Sequence, residues 1–335
     1  MTTIVAATEY IDLANADIGS NITVQTTSAF YQSANSRLGI QTYSGTEDAA
    51  NAYFDLPYTI TADQWIHFVA TAISAWQTAN HWLEIFSGGT KRLGVVIGSG
   101  NTLIVQKWNG SSWSTILTSG LTPACLNTAS TPGVIDIHLV VGNPGRFSMY
   151  VNGAPLVSDA ALDLSFSGIA GFDKLRFQGS GASFQVVISE IIVASHNTIG
   201  SKVVSRVPDA NGNYTAWTGT FADIDETTLG GGTDYIIGAA DGDRESWTHT
   251  NFTALGASES ISTVGMACAA QRDAAGPQSL NMFTRISSTD YDKANETINV
   301  AITHVTKFWD TNPNTSAAWT IAGLDAAEFG VRART

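Results

Sequence analysis

Charge is scarce in this chain. Only 13% of its 335 residues are Asp, Glu, Lys or Arg, against about 25% in an average soluble domain. Solubility therefore has to rest on neutral polar side chains. The charge that is present leans acidic, 16 Lys and Arg against 29 Asp and Glu, for a net charge of -13. A nucleic acid or an anionic membrane is bound through a cationic surface that displaces counterions, so this balance argues against both partners. Apolar runs are short as well. None approaches the roughly 18 residues of a membrane span, and no membrane insertion is expected. The start Met1-Thr2-Thr3-Ile4-Val5 has neither the basic lead nor the apolar core of a signal peptide, which predicts synthesis in a cytoplasm without export by that route. Cysteine is limited to Cys125 and Cys268. Their separation offers neither a CxxC metal site nor a disulfide framework, and both are expected to be small buried apolar residues. The six His stand singly, without an HxH or HExxH spacing, so zinc has no support.

Period-two alternation is plentiful. It runs through Ile66-His67-Phe68-Val69-Ala70-Thr71 and Val134-Ile135-Asp136-Ile137-His138-Leu139-Val140, each bounded by turn residues, and reads as strands. Arg92 to Ile97 and Thr102 to Lys107 flank Gly98-Ser99-Gly100-Asn101, and Asn109-Gly110 and Asn152-Gly153 supply the left-handed pair that tight hairpins require. No capped apolar pattern of period 3.6 lasts three turns in the first half. The spacing predicts an all-β fold made of two antiparallel β-sandwiches. The chain is long for one sandwich and comfortable for two. The expected divisions are an extension or first strand over 1–24, a first sandwich over 25–196, and a second over 200–335, joined through Ser195-His196-Asn197-Thr198-Ile199-Gly200. The second half reads as a loop-rich start with a φ-positive point at Gly230-Gly231-Gly232, then strands near 259–270, 279–287 and 296–308. A short helical turn is expected over Asp325-Ala326-Ala327-Glu328, capped by Asp325.

Two resemblances follow from particular residues. Gln64-Trp65-Ile66-His67-Phe68-Val69-Ala70, then Phe147-Ser148-Met149-Tyr150-Val151-Asn152-Gly153-Ala154-Pro155-Leu156, then Ile188-Ser189-Glu190-Ile191-Ile192-Val193 resemble, in that order, the laminin-G-like and concanavalin A-like jelly rolls. The match covers about residues 25–195 and implies a lectin-type jelly roll. The second half carries Pro208-Asp209-Ala210, Trp217, Asp223-Ile224-Asp225-Glu226 and Asp234-Tyr235-Ile236, then Trp309-Asp310-Thr311-Asn312-Pro313-Asn314-Thr315-Ser316-Ala317-Ala318-Trp319-Thr320 and Glu328-Phe329-Gly330-Val331. This set resembles a C-terminal domain of tailed-bacteriophage virion proteins. It implies a place on a virion, as tail fibre, baseplate or head decoration, assembled in the host cytoplasm.

The candidate chemistry is sparse. Lectin-type jelly rolls include glucanases, which need two cooperating carboxylates. Asp55, Glu84, Asp136 and Glu190 each stand alone among apolar residues, and no E-x-D-x-E strand is present, so the chain is not expected to be an enzyme. Glu84 with Trp82, two residues apart, makes a candidate sugar contact, carboxylate to hydroxyl and indole to pyranose. Against it stands a solvent-facing Glu beside a half-buried Trp. Trp76, Trp82, Trp108 and Trp113 lie within a short span. Indoles on loops bring large contact area at small entropy cost, while Trp108 and Trp113 could equally pair across a hairpin. Asp209, Asn211 and Asn213 have a faint look of a Ca²⁺ loop but lack the distal bidentate Glu. Asx turns account for them, and no cofactor is expected.

The expectation drawn from all this is a non-enzymatic virion structural protein that joins other virion proteins and displays the lectin-like domain toward host-surface glycan. A homo-oligomer is expected, with a trimer preferred. The alternative is a soluble carbohydrate-binding module or remnant glycoside hydrolase.

Overall fold

The computed structural model describes residues 3–7, 17–18, 22–25, 39–42, 53–72, 81–100, 102–120, 123–127, 131–178, 186–225, 234–252, 256 and 258–335, the first four stretches as backbone only. The chain forms two compact units, Met1–Val204 and Ser205–Thr335. Both are built from antiparallel strands, as the alternation predicts.

The first unit carries β1 (Thr3–Ala7), β2 (Asp17–Ile18), β3 (Ile22–Gln25), β4 (Gly39–Thr42), β5 (Tyr53–Thr61), β6 (Asp63–Ala72), β7 (His81–Ser87), β8 (Thr90–Gly98), β9 (Thr102–Trp108) and β10 (Trp113–Ser119). A short helix α1 (Ala124–Asn127) precedes β11 (Gly133–Val140), β12 (Gly145–Val151), β13 (Ala154–Leu162), β14 (Phe172–Gln178) and β15 (Val186–Ala194). Among the described residues one sheet runs β13-β12-β11-β6-β15-β4-β3, with β1 paired to β15, and a seven-stranded sheet runs β10-β9-β8-β7-β14-β5-β2. The insertion of β6 between β11 and β15, and of β14 between β7 and β5, crosses the chain between sheets and makes a jelly roll rather than a meander.

Alternation decides which side of each strand meets the core. Ile66, Phe68 and Ala70 on β6 and Ile135, Ile137 and Leu139 on β11 face Phe54 and Leu56 on β5, Leu83 and Ile85 on β7, and Leu175 and Phe177 on β14, all essentially inaccessible to solvent. Phe68 makes edge contacts with Phe177 at 5.1 Å and Trp82 at 6.0 Å between ring centroids. Such geometry adds about 0.5–1.5 kcal/mol per pair beyond the area buried. Asn152 and Gly153 both have positive φ, 51° and 78°, and close the β12–β13 hairpin as expected. Asn109-Gly110 behaves differently. Only Gly110 is left-handed there, and the connection spans four residues because the Asn109 side chain accepts the N–H groups of Ser111 and Ser112 at 2.9 and 2.8 Å.

The segment after β15, read from sequence as the junction, is held by the first unit. Thr198 is fully buried and its hydroxyl donates to Asp136 at 2.7 Å. Asp136 also pairs with His67 at 2.8 Å, both at zero exposure.

The second unit carries β16 (Pro208–Thr215), β17 (Arg244–His249), β18 (Val264–Ala270), β19 (Ser279–Ile286), β20 (Thr289–Asp292), β21 (Glu296–Thr297), β22 (Thr303–Trp309), α2 (Ile321–Asp325) and β23 (Glu328–Arg334). Its main sheet runs β16-β17-β23-β19-β20, with β21 on β19, and β18 and β22 form a separate ribbon. Trp247, Leu280, Met282, Ile286 and Val331 from the sheet share one core with Val264, Val305 and Trp309 from the ribbon. The strand read near 296–308 is therefore two, broken by Ile298 to Ile302. The helical turn ends at Asp325 instead of starting there. Thr320 caps it by accepting the Gly323 N–H, and the Asp325 carboxylate accepts the N–H of Phe252. Gly230-Gly231-Gly232 lies outside the described residues.

Candidate functional site

The outward side of the seven-stranded sheet collects the chemistry of the first unit. Register sets Asp55 on β5 opposite Arg176 on β14, Arg176 opposite Glu84 on β7, Glu84 opposite Gly94 on β8, and Gly94 opposite Gln106 on β9. Each is the outward-pointing member of an alternating strand. Arg176 grips Asp55 with two parallel bonds, Nε to Oδ1 at 2.6 Å and Nη2 to Oδ2 at 2.8 Å, and Lys174 adds a third at 2.7 Å. Burial opposes the Arg176 charge, but the bonds and field of Asp55, helped by Glu84 and Tyr53, outweigh it and hold the guanidinium above its ordinary value. Arg176 lies 3.6 Å above the Tyr53 ring, and the Lys174 ammonium lies 4.0 Å from the Phe86 ring centre.

At the other end of the row, Trp108 and Trp113 face each other across the β9–β10 hairpin with centroids 5.1 Å apart. Both are half-buried. The Lys91 ammonium sits 5.2 and 5.6 Å from these two rings and 3.6 Å from Glu84, a cation–π arrangement. His81 fills the space over Gly94, where a Cβ would stand 2.1 Å from its ring. Its Nε2 lies 2.8 Å from the Gln106 carbonyl oxygen, which can only accept, so that nitrogen carries the hydrogen. The same ring packs 4.1 Å from Trp113.

Several sequence expectations change here. Trp82 does not share a face with Glu84. A bulge between His81 and Leu83 inserts Trp82 as an extra residue, which turns its indole into the core against Phe68. Glu84 faces outward but at zero exposure, beneath Lys91, so it is neither a sugar-contacting nor a solvent-facing carboxylate. Asp55 and Glu84 do not stand alone, because they flank Arg176, and Asp136 has His67. Trp76 lies outside the described residues. Trp108 and Trp113 are a cross-strand pair that also keeps partly exposed surface.

The weak Ca²⁺ candidates sit on strand β16 rather than in a loop. Asp209 accepts from the hydroxyls of Thr248 and Thr250, Asn211 from the N–H of Phe221, and Asn213 donates its N–H to Glu328. The Asp209 and Asn211 oxygens serve the fold, and among the described residues no cluster of His, Cys, Asp or Glu has the form of a metal site. The sequence reading passed over Lys91, Lys174, Arg176, His81 and Gln106. A visible signal was the cation between two apolar residues at Leu175-Arg176-Phe177, which burial tolerates only with an anionic partner.

No family model matches the chain, and no curated protein does. Among solved structures it is similar to the botulinum neurotoxin type G receptor-binding domain, with 11% identity, TM-score 0.42, and 59% of this chain covering 48% of that one, so it spans about half that structure's length. It is also similar to the cellulose-induced protein Cip1, with 13% identity, TM-score 0.40 and coverage of 55% and 91%. A third likeness is an endo-β-1,4-glucuronan lyase from the fungus Trichoderma reesei, with 13% identity, TM-score 0.40 and coverage of 59% and 98%. These likenesses are weak, and the reading of the site rests on its own residues.

Proposed function

We propose that the chain is a non-enzymatic structural protein of a bacteriophage or phage-like particle, whose first unit binds host-surface glycan through the outward side of the seven-stranded sheet. The observation that carries the binding half is the Trp108–Trp113 pair, half-buried at one end of a polar row. An indole edge or face offers a pyranose large apolar contact, and the adjoining Lys91 ammonium and Thr115 hydroxyl can donate to sugar oxygens. The particle half rests on the resemblance of the second unit's Trp309 to Thr320 stretch to virion proteins, and with it go assembly with other virion proteins and a trimeric state. Repetition on a particle would multiply weak single-site binding.

The absence of catalysis is argued from the same row. General acid–base work needs a carboxyl that reaches the substrate and can exchange a proton. Asp55 is occupied by Arg176 and Lys174, and Glu84 has no exposure. A glycan array probed with the whole chain should give binding that falls away in a Trp108→Ala, Trp113→Ala double variant. Loss of the cross-strand pairing alone should cost the fold about 1 kcal/mol, and thermal melting of the variant checks that it is folded. Reducing-sugar release by the pure protein, or unaltered array binding by the double variant, would sink the proposal. Electron microscopy of particles labelled at the C-terminus checks the location.

A further inference from the structure

We infer that the glycan this sheet face accepts is anionic, bearing carboxylate or sulfate groups. The inference rests on the glycan-binding reading and concerns only the ligand's charge. The face holds both signs, but at different depths. Side-chain exposure is 21% for Lys91 and 22% for Lys174, against 0% for Glu84 and 7% for Asp55. Arg176 lies between, at 11%. The carboxylates lie beneath, each already facing a cation, while the two lysine side chains keep about a fifth of their surface open to solvent. A ligand therefore meets positive charge here, on a chain whose net charge is -13. Such a local reversal focuses anions against the general field of the molecule.

The placement also has a direction. Phe86 on β7 is the register partner of both Lys174 on β14 and Lys91 on β8. The two lysines thus stand two strand spacings apart, roughly 9–10 Å, with the Phe86 ring between them and the Trp108–Trp113 pair beyond Lys91. A saccharide chain laid across the strands would meet the two cations and then the indoles, with the Phe86 ring buried beneath. Neutral sugars are usually held by accessible acceptors for their hydroxyls, and here the two carboxylates that could serve are covered. Beside this row, Asp173 accepts the Gly88 N–H and the His81 ring is engaged with Gln106.

The test titrates the full chain calorimetrically with glucuronate oligosaccharides, heparin-type sulfated oligosaccharides and cello-oligosaccharides of matched length, each at low and physiological salt. The expected result is binding of an anionic series well above the neutral one, weakening as salt rises. The stronger anionic series identifies carboxylate or sulfate as the source. Lys91→Gln and Lys174→Gln should each lose roughly three- to fivefold of that affinity, with Lys91→Arg and Lys174→Arg restoring it, and with melting unchanged. If a Gln variant melts lower, the salt dependence of the unaltered chain decides alone. Neutral oligosaccharide bound as tightly as anionic, and lost in the Trp108→Ala, Trp113→Ala variant, overturns the inference while leaving the glycan-binding reading intact. Binding of none of the three series overturns both.

Discussion

On β17 the side chain of Glu245 is almost fully buried, with one oxygen accepting the Trp217 N–H at 3.0 Å. Burial, only partly offset by that bond, raises its pKa. A raised carboxylate favours the protonated folded form, so its contribution is best at low pH and is lost as pH climbs through the raised value. Glu245→Gln keeps an acceptor for Trp217 and removes the charge. Thermal melting should then show the variant more stable than the parent at pH 7 and equal to it near pH 4; a lower melting temperature at pH 7 would mean the charge is stabilising. The thiols follow the same physics of burial, which pushes Cys125 up to about 11 and Cys268 up to about 12. Cys125 is buried and Cys268 half-buried, and the raised values disfavour the thiolate at neutral pH.

Among elements, the stretch from β22 into α2 shows what a local motif can do. Trp309 and Trp319 are both buried, and the Trp319 indole N–H donates to the Trp309 carbonyl at 2.9 Å. Asn312 holds the turn between them, accepting at its carbonyl from Thr315 and Ser316 and at its side chain from Asn314. The rings therefore anchor the second unit's core. Trp309→Ala or Trp319→Ala should each cost about 3–5 kcal/mol in denaturant melts. Unchanged stability in both would contradict the anchoring role.

Turns also mark how far the sequence could be read. Asn152-Gly153 advertises a left-handed pair and forms one, whereas Ser287-Ser288 closes β19–β20 with φ of 49° and 68° and carries no such signature, because tertiary pairing imposes it. Alternation told which residues of β7 share a side only up to its bulge, which moved Trp82 into the core without any sign in the residues around it. The row Asp55, Arg176 and Glu84 was illegible for another reason. Its members lie far apart in the chain and meet only through strand order, which short-range patterns do not encode.

At the scale of the whole molecule, a chain poor in charge gathers Lys91, Lys174, Arg176 and the Trp108–Trp113 pair of its first unit on one sheet. The opposite sheet has an aromatic stack of its own, Trp65 on His138 at 4.4 Å and on Tyr150 at 5.9 Å. The two faces make competing predictions for where a glycan sits. Hydrogen exchange of the full chain, with and without a saturating oligosaccharide that it binds, separates them directly. The account predicts slowed exchange in β7, β8, β9, β10 and β14, with β11, β12 and the second unit unaffected. Protection confined to β6, β11 and β12, or to the second unit, would contradict it.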